Sequence, residues 1–443
     1  MIKATSTICY IVVLLAHKVM STSMKVPDVT QVSQTSTSLF AQTSPVWLSD
    51  VHGPLDDSVV KSYPRDEDIK AGSLPEHSSV QLLNGYPEPD KQPSADHPEV
   101  QAVLNHLDLS MIPDIEPRKV KDWTLDTSKY EVAQDPDCWW SASLCVKPKV
   151  NYIPEDIYMC PNKGDWGLNF DDGPYKAWWP ESEKDKKYDQ PRLYNFLVNH
   201  GKQKATLFFV GSNIVRFPEA AIRALNDGHV ICSHTWSHPY MTTLTNEQVV
   251  AQLYWTQKAI KQTLGITPKC WRPPYGDVDD RVRAIAWQMG MRTILWDQDS
   301  NDWNLAGGKI RAKAIDGYFQ TWINARKNGT DDEHGHITLQ HENSNATIHL
   351  SEKWLPKVQK SFRVMPIHQC INDPHPYWEK NWIYPTLDEP NPPRSVMSDK
   401  ESNVHGANVI GNANDATSAL LSSLKTSLYT TMLSSFLLFL LLL

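Results

Sequence analysis

Short apolar runs alternate with segments of helical period from residue 166 to residue 339, and few architectures accommodate that order. Residues 166–170 (WGLNF) and 205–210 (ATLFFV) read as buried strands, and 229–232, 293–296 and 337–339 as further ones. Between them, Thr245 at the N-cap and Gln248 at N3 have the form of a capping box. Val249, Leu253, Ile260 and Leu264 then recur at helical spacing, and Gly265 stops the helix. Residues 281–289 read as another helix, closed by Gly290. Strand and helix in alternation predict an α/β fold with parallel strands. In such folds chemistry gathers beyond the strand C-termini, and here polar clusters stand in those places.

The flanks have a different texture. Residues 24–118 hold 11 of the 31 Pro with many Ser, Thr and Asp, which predicts a largely irregular extension. Residues 100–112 are the stretch there expected to form a helix that docks on the domain. The dense region, 119–390, is the expected catalytic domain, and 391–414 a linker. Residues 1–23 read as a signal peptide: Lys3, a short apolar run at 9–16, then Ser21, Thr22 and Ser23. At the other end an apolar run, 436–443, stops without a following charge, and small residues around Asn414 precede a polar spacer. That order predicts a GPI attachment at Asn414 with 415–443 removed, a simple tail anchor being the alternative. The net charge of −8 argues against nucleic-acid binding through overall charge.

Cysteine usage agrees with secretion. Of seven Cys, Cys9 leaves with the signal and six remain. Cys138 and Cys145 are close enough for a local bridge, and a Cys160–Cys370 bridge would tie the two ends of the domain. Cys232 and Cys270 stand at strand ends, free to pair or to remain buried thiols. Asn328 and Asn345 head glycosylation sequons.

Five clusters could carry chemistry. Asp171 and Asp172 follow the first strand in a DDGP turn; alone they are an acidic loop. His234 and His238, if helical, share one face and can grip one metal. Two His and one carboxylate leave an open position, as at catalytic rather than structural zinc, and the second carboxylate can act as general base. Arg272 precedes Pro-Pro-Tyr275-Gly and could hold that base ionised and oriented. Asp299 and Asp302 stand after another strand, beside Trp303, which could stack on a sugar. His341, after residues 337–339, could supply the proton that a leaving amine needs.

The five clusters in this order resemble the five motifs of the polysaccharide deacetylases, the NodB-homology domain of carbohydrate esterase family four. The resemblance spans about residues 160–370. The stretches SHTWSHPYMT (233–242), WRPPYGDVDDRV (271–282) and DPDCWW (135–140) are similar to fungal chitin deacetylases in particular. The resemblance implies a distorted (β/α) barrel of seven or eight strands. It implies Asp171 as general base, paired with Arg272, and Asp172, His234 and His238 as metal ligands. The metal would be Zn²⁺, with Co²⁺ or Mn²⁺ as alternatives. Tyr275 would offer its backbone N–H to the oxyanion. Asp302, or alternatively Asp299, would tune His341 as general acid, and Trp303 with Leu339 would line the acetyl pocket. The implied reaction removes N-acetyl groups from GlcNAc units of chitin, leaving chitosan and acetate. The implied setting is the cell wall, with the plasma membrane reached through a GPI lipid and no protein partner. A deacetylase of another acetylated polysaccharide and a catalytically silent wall-binding protein are the rival readings. Two departures stand out. The fifth motif ends His341-Glu342 where His-Asp is common, and residues 175–190, with Trp178 and Trp179, are long.

Overall fold

The computed structural model describes residues 44–54, 58–74, 84–175, 192–305 and 308–392. The expected signal peptide, most of the linker, the attachment site at Asn414, and Trp178 and Trp179 lie outside the described residues. A two-stranded hairpin comes first, β1 (Val120–Lys121) and β2 (Thr124–Leu125). The main sheet follows: β3 (Asp165–Gly173), β4 (Thr206–Phe209), β5 (Val230–Ser233), β6 (Cys270–Trp271), β7 (Arg292–Thr293), β8 (Gln298–Asp299), β9 (His336–Leu339) and β10 (Arg363–Pro366). Its order is β7-β6-β5-β4-β3-β9-β8, with β10 paired to the first half of β3, and every pairing is parallel. The sheet curls into a half-barrel, the α/β barrel architecture expected above.

β3 is the axis of the fold. Nearly all of its nine residues are buried, as befits a strand covered on both faces. Helices cover the outside of the sheet. Asn246–Leu264 starts on the capping box of Thr245 and Gln248 and stops at Gly265, whose φ of 73° suits a C-cap glycine. Asp280–Gln288 begins on Asp279, whose carboxylate accepts from the Val282 N–H. β7 is shorter than the run expected at 293–296. After Thr293 the chain leaves the ladder, and Ile294 makes an isolated bridge to Ile157 instead.

Three disulfides pin the frame: Cys138–Cys145, Cys160–Cys370 and Cys232–Cys270. The last joins neighbouring strands β5 and β6, so both thiols left open by the sequence are paired. The N-terminal segment is irregular yet packed. Leu48, Val59, Val100 and Val103 join the core, the last two from the helix Pro98–Leu104. No helix among the described residues is long and apolar enough to cross a membrane.

Candidate active site

Adjacent residues of a regular strand point to opposite faces, so Asp171 and Asp172 should not share a site. A β-bulge resolves this. The β3–β4 register runs Asp171 to Phe208 and then Gly173 to Phe209, leaving Asp172 unpaired at φ 76°. Asn213 holds the turn by donating to the Asp172 carbonyl at 2.9 Å. Gly173 has no alternative here, because a Cβ would lie 2.0 Å from Glu342 Oε1 and 2.8 Å from the Phe209 ring.

Asp171 is buried and meets Arg272, whose Nη1 donates to its Oδ1 at 2.7 Å. The same Nη1 donates to Asn169 Oδ1 at 2.6 Å, and Nη2 donates to the Leu295 carbonyl at 2.9 Å. The guanidinium also lies 4.0 Å over the Phe208 ring. Burial draws the Arg272 pKa down, and the Asp171 charge opposes that shift. Asn169 escaped the sequence reading. Its signal was a polar residue two positions before Asp171 on the same strand face of an otherwise apolar run.

His234 and His238 come together on a loop, which corrects the helical grip considered above. The chain leaves β5 at Ser233, and Thr235 and His238 take φ of 67° and 58°. The rings stand 4.9 Å apart. Asp172 Oδ1 lies 3.5 Å from His234 Nε2 and 3.2 Å from His238 Nε2. That oxygen is buried and meets no well-formed hydrogen bond. His234 Nδ1 lies 2.8 Å from the Arg272 carbonyl; donation there fixes the tautomer and leaves the Nε2 lone pair directed at Asp172. Asn343 donates to the other carboxylate oxygen of Asp172 at 2.6 Å. Burial pushes the Asp172 carboxyl up, but the facing His238 and His234 bring it well below the usual carboxylate range. One carboxylate and two imidazoles with an orphaned oxygen between them fit a divalent metal of the zinc type.

His341 completes the ring of groups. Its backbone bridges to Asp171, and Asp302 takes both its N–H at 2.9 Å and its Nδ1 at 2.6 Å. Asp299 instead accepts from the Asn301 N–H at 2.7 Å, so of the two candidates Asp302 is the partner in contact. Burial works against a charged His341, but Asp302, with Asp172 and Asp171 behind it, raises its pKa to about 10. Leu339 is buried at the end of β9, and Trp303 and Tyr275 are exposed at the rim. Glu342, the departure from the common motif, turns away under the bulge; Tyr194 donates to it at 2.9 Å and burial raises it to about 8. Asn328 and Asn345 are exposed on the surface, Asn345 only four residues after His341.

Two other groups place ligand-type atoms together. Asp135, Cys138 and Cys145 are one, but both sulfurs are spent in the disulfide. Asp297, His334 and His336 are the other, at the N-terminal end of β9, opposite His341. There His336 has Asp297 on Nδ1 and Asp331 on Nε2, the latter at 3.0 Å.

A family model described as polysaccharide deacetylase matches residues 159–294. The chain is 42% identical over 283 residues to a chitin deacetylase of Amylomyces rouxii, covering 63% of this chain and 64% of that protein. It is 42% identical to chitin deacetylase 2 of Cryptococcus neoformans, covering 58% of this chain but 54% of that protein. It is 34% identical to chitin deacetylase 3 of the same species, covering 66% of this chain and 68% of that protein. The alignments thus leave more than a third of the first two relatives unmatched. With two-thirds of a relative covered at this identity, the chain belongs to the polysaccharide deacetylase family.

Proposed function

We propose that this protein hydrolyses the N-acetyl group of GlcNAc units in chitin, giving chitosan and acetate. The observation that carries the reading is the convergence of three devices on one spot. They are the Arg272-paired carboxylate of Asp171, the Asp172–His234–His238 donor set, and the Asp302-backed His341. The relatives named chitin deacetylase support the choice of polymer.

A divalent metal held by Asp172, His234 and His238, Zn²⁺ by its donor set, would supply Lewis-acid polarisation of the amide carbonyl. Asp171 takes the proton from the attacking water, and Arg272 keeps its carboxylate in place. The backbone N–H of Tyr275 offers a donor to the oxyanion as it forms. His341 then gives its proton to the amine nitrogen as the C–N bond breaks, and Asp302 stabilises the charged ring before that transfer. Leu339 and Trp303 close around the acetyl methyl.

Acetate release from chitin oligomers by the full chain, with and without chelator, tests this reading. Metal-dependent release is expected. Release from acetylated xylan alone, or binding of chitin oligomers with no release when Zn²⁺ or Co²⁺ is supplied, would overturn it. The same reading places the protein outside the cell, where three disulfides persist. Residues 119–390 act as the deacetylase domain, and a GPI lipid at Asn414 holds it at the plasma membrane and wall. A chain ending before Asn414 should appear in the medium; retention on membranes would refute the anchor.

A further inference from the structure

The loop between His234 and His238 has no helix or ladder of its own to hold it. Thr235 and His238 take left-handed φ of 67° and 58°. Such backbone is disfavoured at residues other than glycine and persists where surrounding contacts over-determine it. Those contacts come from elsewhere in the chain. Trp236 and Ser237 both donate their backbone N–H to Gln252 Oε1, each at 2.9 Å. Only an oxygen accepts from two N–H groups, so the Gln252 amide has one orientation. Its Nε2 then donates to Ser237 Oγ at 2.7 Å and to Gln92 Oε1 at 2.9 Å. Gln252 is buried in the helix Asn246–Leu264, and both faces of its amide are fully used.

Gln92 belongs to the proline-rich N-terminal segment, and that segment reaches the loop twice more. The Tyr86 ring stacks on the buried Trp236 indole, with centroids 5.7 Å and planes 3° apart. The Glu88 carbonyl accepts from Trp236 Nε1 at 3.3 Å. Asp90 meets the helix Gly211–Arg216, accepting from Ser212 Oγ at 3.3 Å and pairing with Arg216. The first two N–H groups of that helix, Gly211 and Ser212, donate to the Thr235 and Trp236 carbonyls at 2.8 and 3.1 Å.

We propose that the segment from Tyr86 to Gln92 braces the loop of His234 and His238. Gln92 works through Gln252, and Tyr86 with Glu88 through Trp236; all are positioning residues that hold the two imidazoles in ligand geometry. This rests on the reading of Asp172, His234 and His238 as the donor set, and it gives the irregular extension a part in the site. A loop already ordered loses less freedom when a ligand binds, so the brace raises metal affinity.

The test measures Kd for Zn²⁺ on the full chain by chelator competition, and hydrogen exchange of residues 234–238 on the metal-free chain. Gln92→Ala and Tyr86→Ala should each weaken Zn²⁺ binding about three- to tenfold and speed that exchange. Gln92→Glu keeps an acceptor for Gln252, and Tyr86→Phe keeps the stacked ring while giving up its bond to Gln262. Each should restore most of both readouts. Because Gln92 is exposed, its substitution tests the brace without endangering the fold. In a wild type that binds zinc, an unchanged Kd in both alanine variants would overturn the brace, even with a lowered urea midpoint, which would mark the contacts as stabilising alone. Faster exchange in the variants, in a wild type that takes up no zinc, would support the brace while overturning the reading of the donor set.

Discussion

The two histidine–aspartate clusters at opposite ends of β9 have similar composition and different chemistry. At the C-terminal side, His234 has a backbone carbonyl on Nδ1, and its Nε2 faces a carboxylate oxygen with no proper partner. At the N-terminal side, His336 is held between Asp297 and Asp331, so both ring nitrogens are already engaged. The first arrangement keeps lone pairs in reserve for a cation. The second sets a carboxylate on each ring nitrogen, which favours the charged form of the ring. What favours a metal at the first cluster over the second is therefore the partner on the far nitrogen, which the count of His and Asp does not reveal.

Breaking the first cluster should have the largest effect. Asp171→Asn should lower turnover about 10²- to 10⁴-fold while metal content stays near that of wild type. Turnover within a few-fold of wild type would remove Asp171 as the base. Asn343→Ala should weaken metal affinity about tenfold, since it frees the outer oxygen of Asp172. An unchanged Kd for Zn²⁺ would show that the hydrogen bond is incidental.

Breaking the second cluster should instead cost stability. Removing one partner of a buried charge pair costs about 3–5 kcal/mol, so His336→Ala should lower the urea midpoint without loss of metal. Burial opposes charge on His336, but Asp297 and Asp331 raise its pKa above the ordinary value. The folded state thus binds that proton more tightly than the unfolded state. The resulting stability is complete below about pH 6.5 and is lost as pH rises through the raised value. Urea titrations across that range should show the decline in wild type and not in His336→Gln; equal slopes would exclude this origin.

His341 sharpens the contrast, because there a raised pKa would serve the proposed proton donor. Its acid form persists to alkaline pH, so the rate should fall only as pH passes well above the ordinary His value, toward about 10. Asp302→Asn removes the largest source of that rise and should move the alkaline limb to lower pH. A limb that stays in place would point to another group. The smallest effect expected is from Thr245→Ala, which deletes the cap of a long helix and should cost about 1 kcal/mol.

The strand and helix order was legible because caps, glycines and periodicity are local. Gln248 and Gly265 mark their helix from within the sequence. The candidate site residues were legible as clusters placed after strands, and the structure brings Asp171, Arg272, Asp172, His234, His238, Asp302 and His341 together. Their geometry was not legible. The bulge at Asp172 depends on how β3 registers against β4, and the meeting of His234 with His238 depends on left-handed residues in a loop. Asn343 and Gln92 meet partners 171 and 160 residues away, distances over which periodicity carries no information. Proline richness in the N-terminal segment likewise predicted irregularity, while its apolar anchors Leu48 and Val59 gave no periodic signal of packing.

The most direct measurement is the zinc stoichiometry of the purified full chain beside His234→Ala and His336→Ala, with acetate release from chitin oligomers recorded on the same samples. The expected result is one zinc per wild-type chain, lost together with activity in His234→Ala and retained in His336→Ala. Zinc retained in His234→Ala, or lost only in His336→Ala, would contradict the assignment of the metal to the Asp172 cluster.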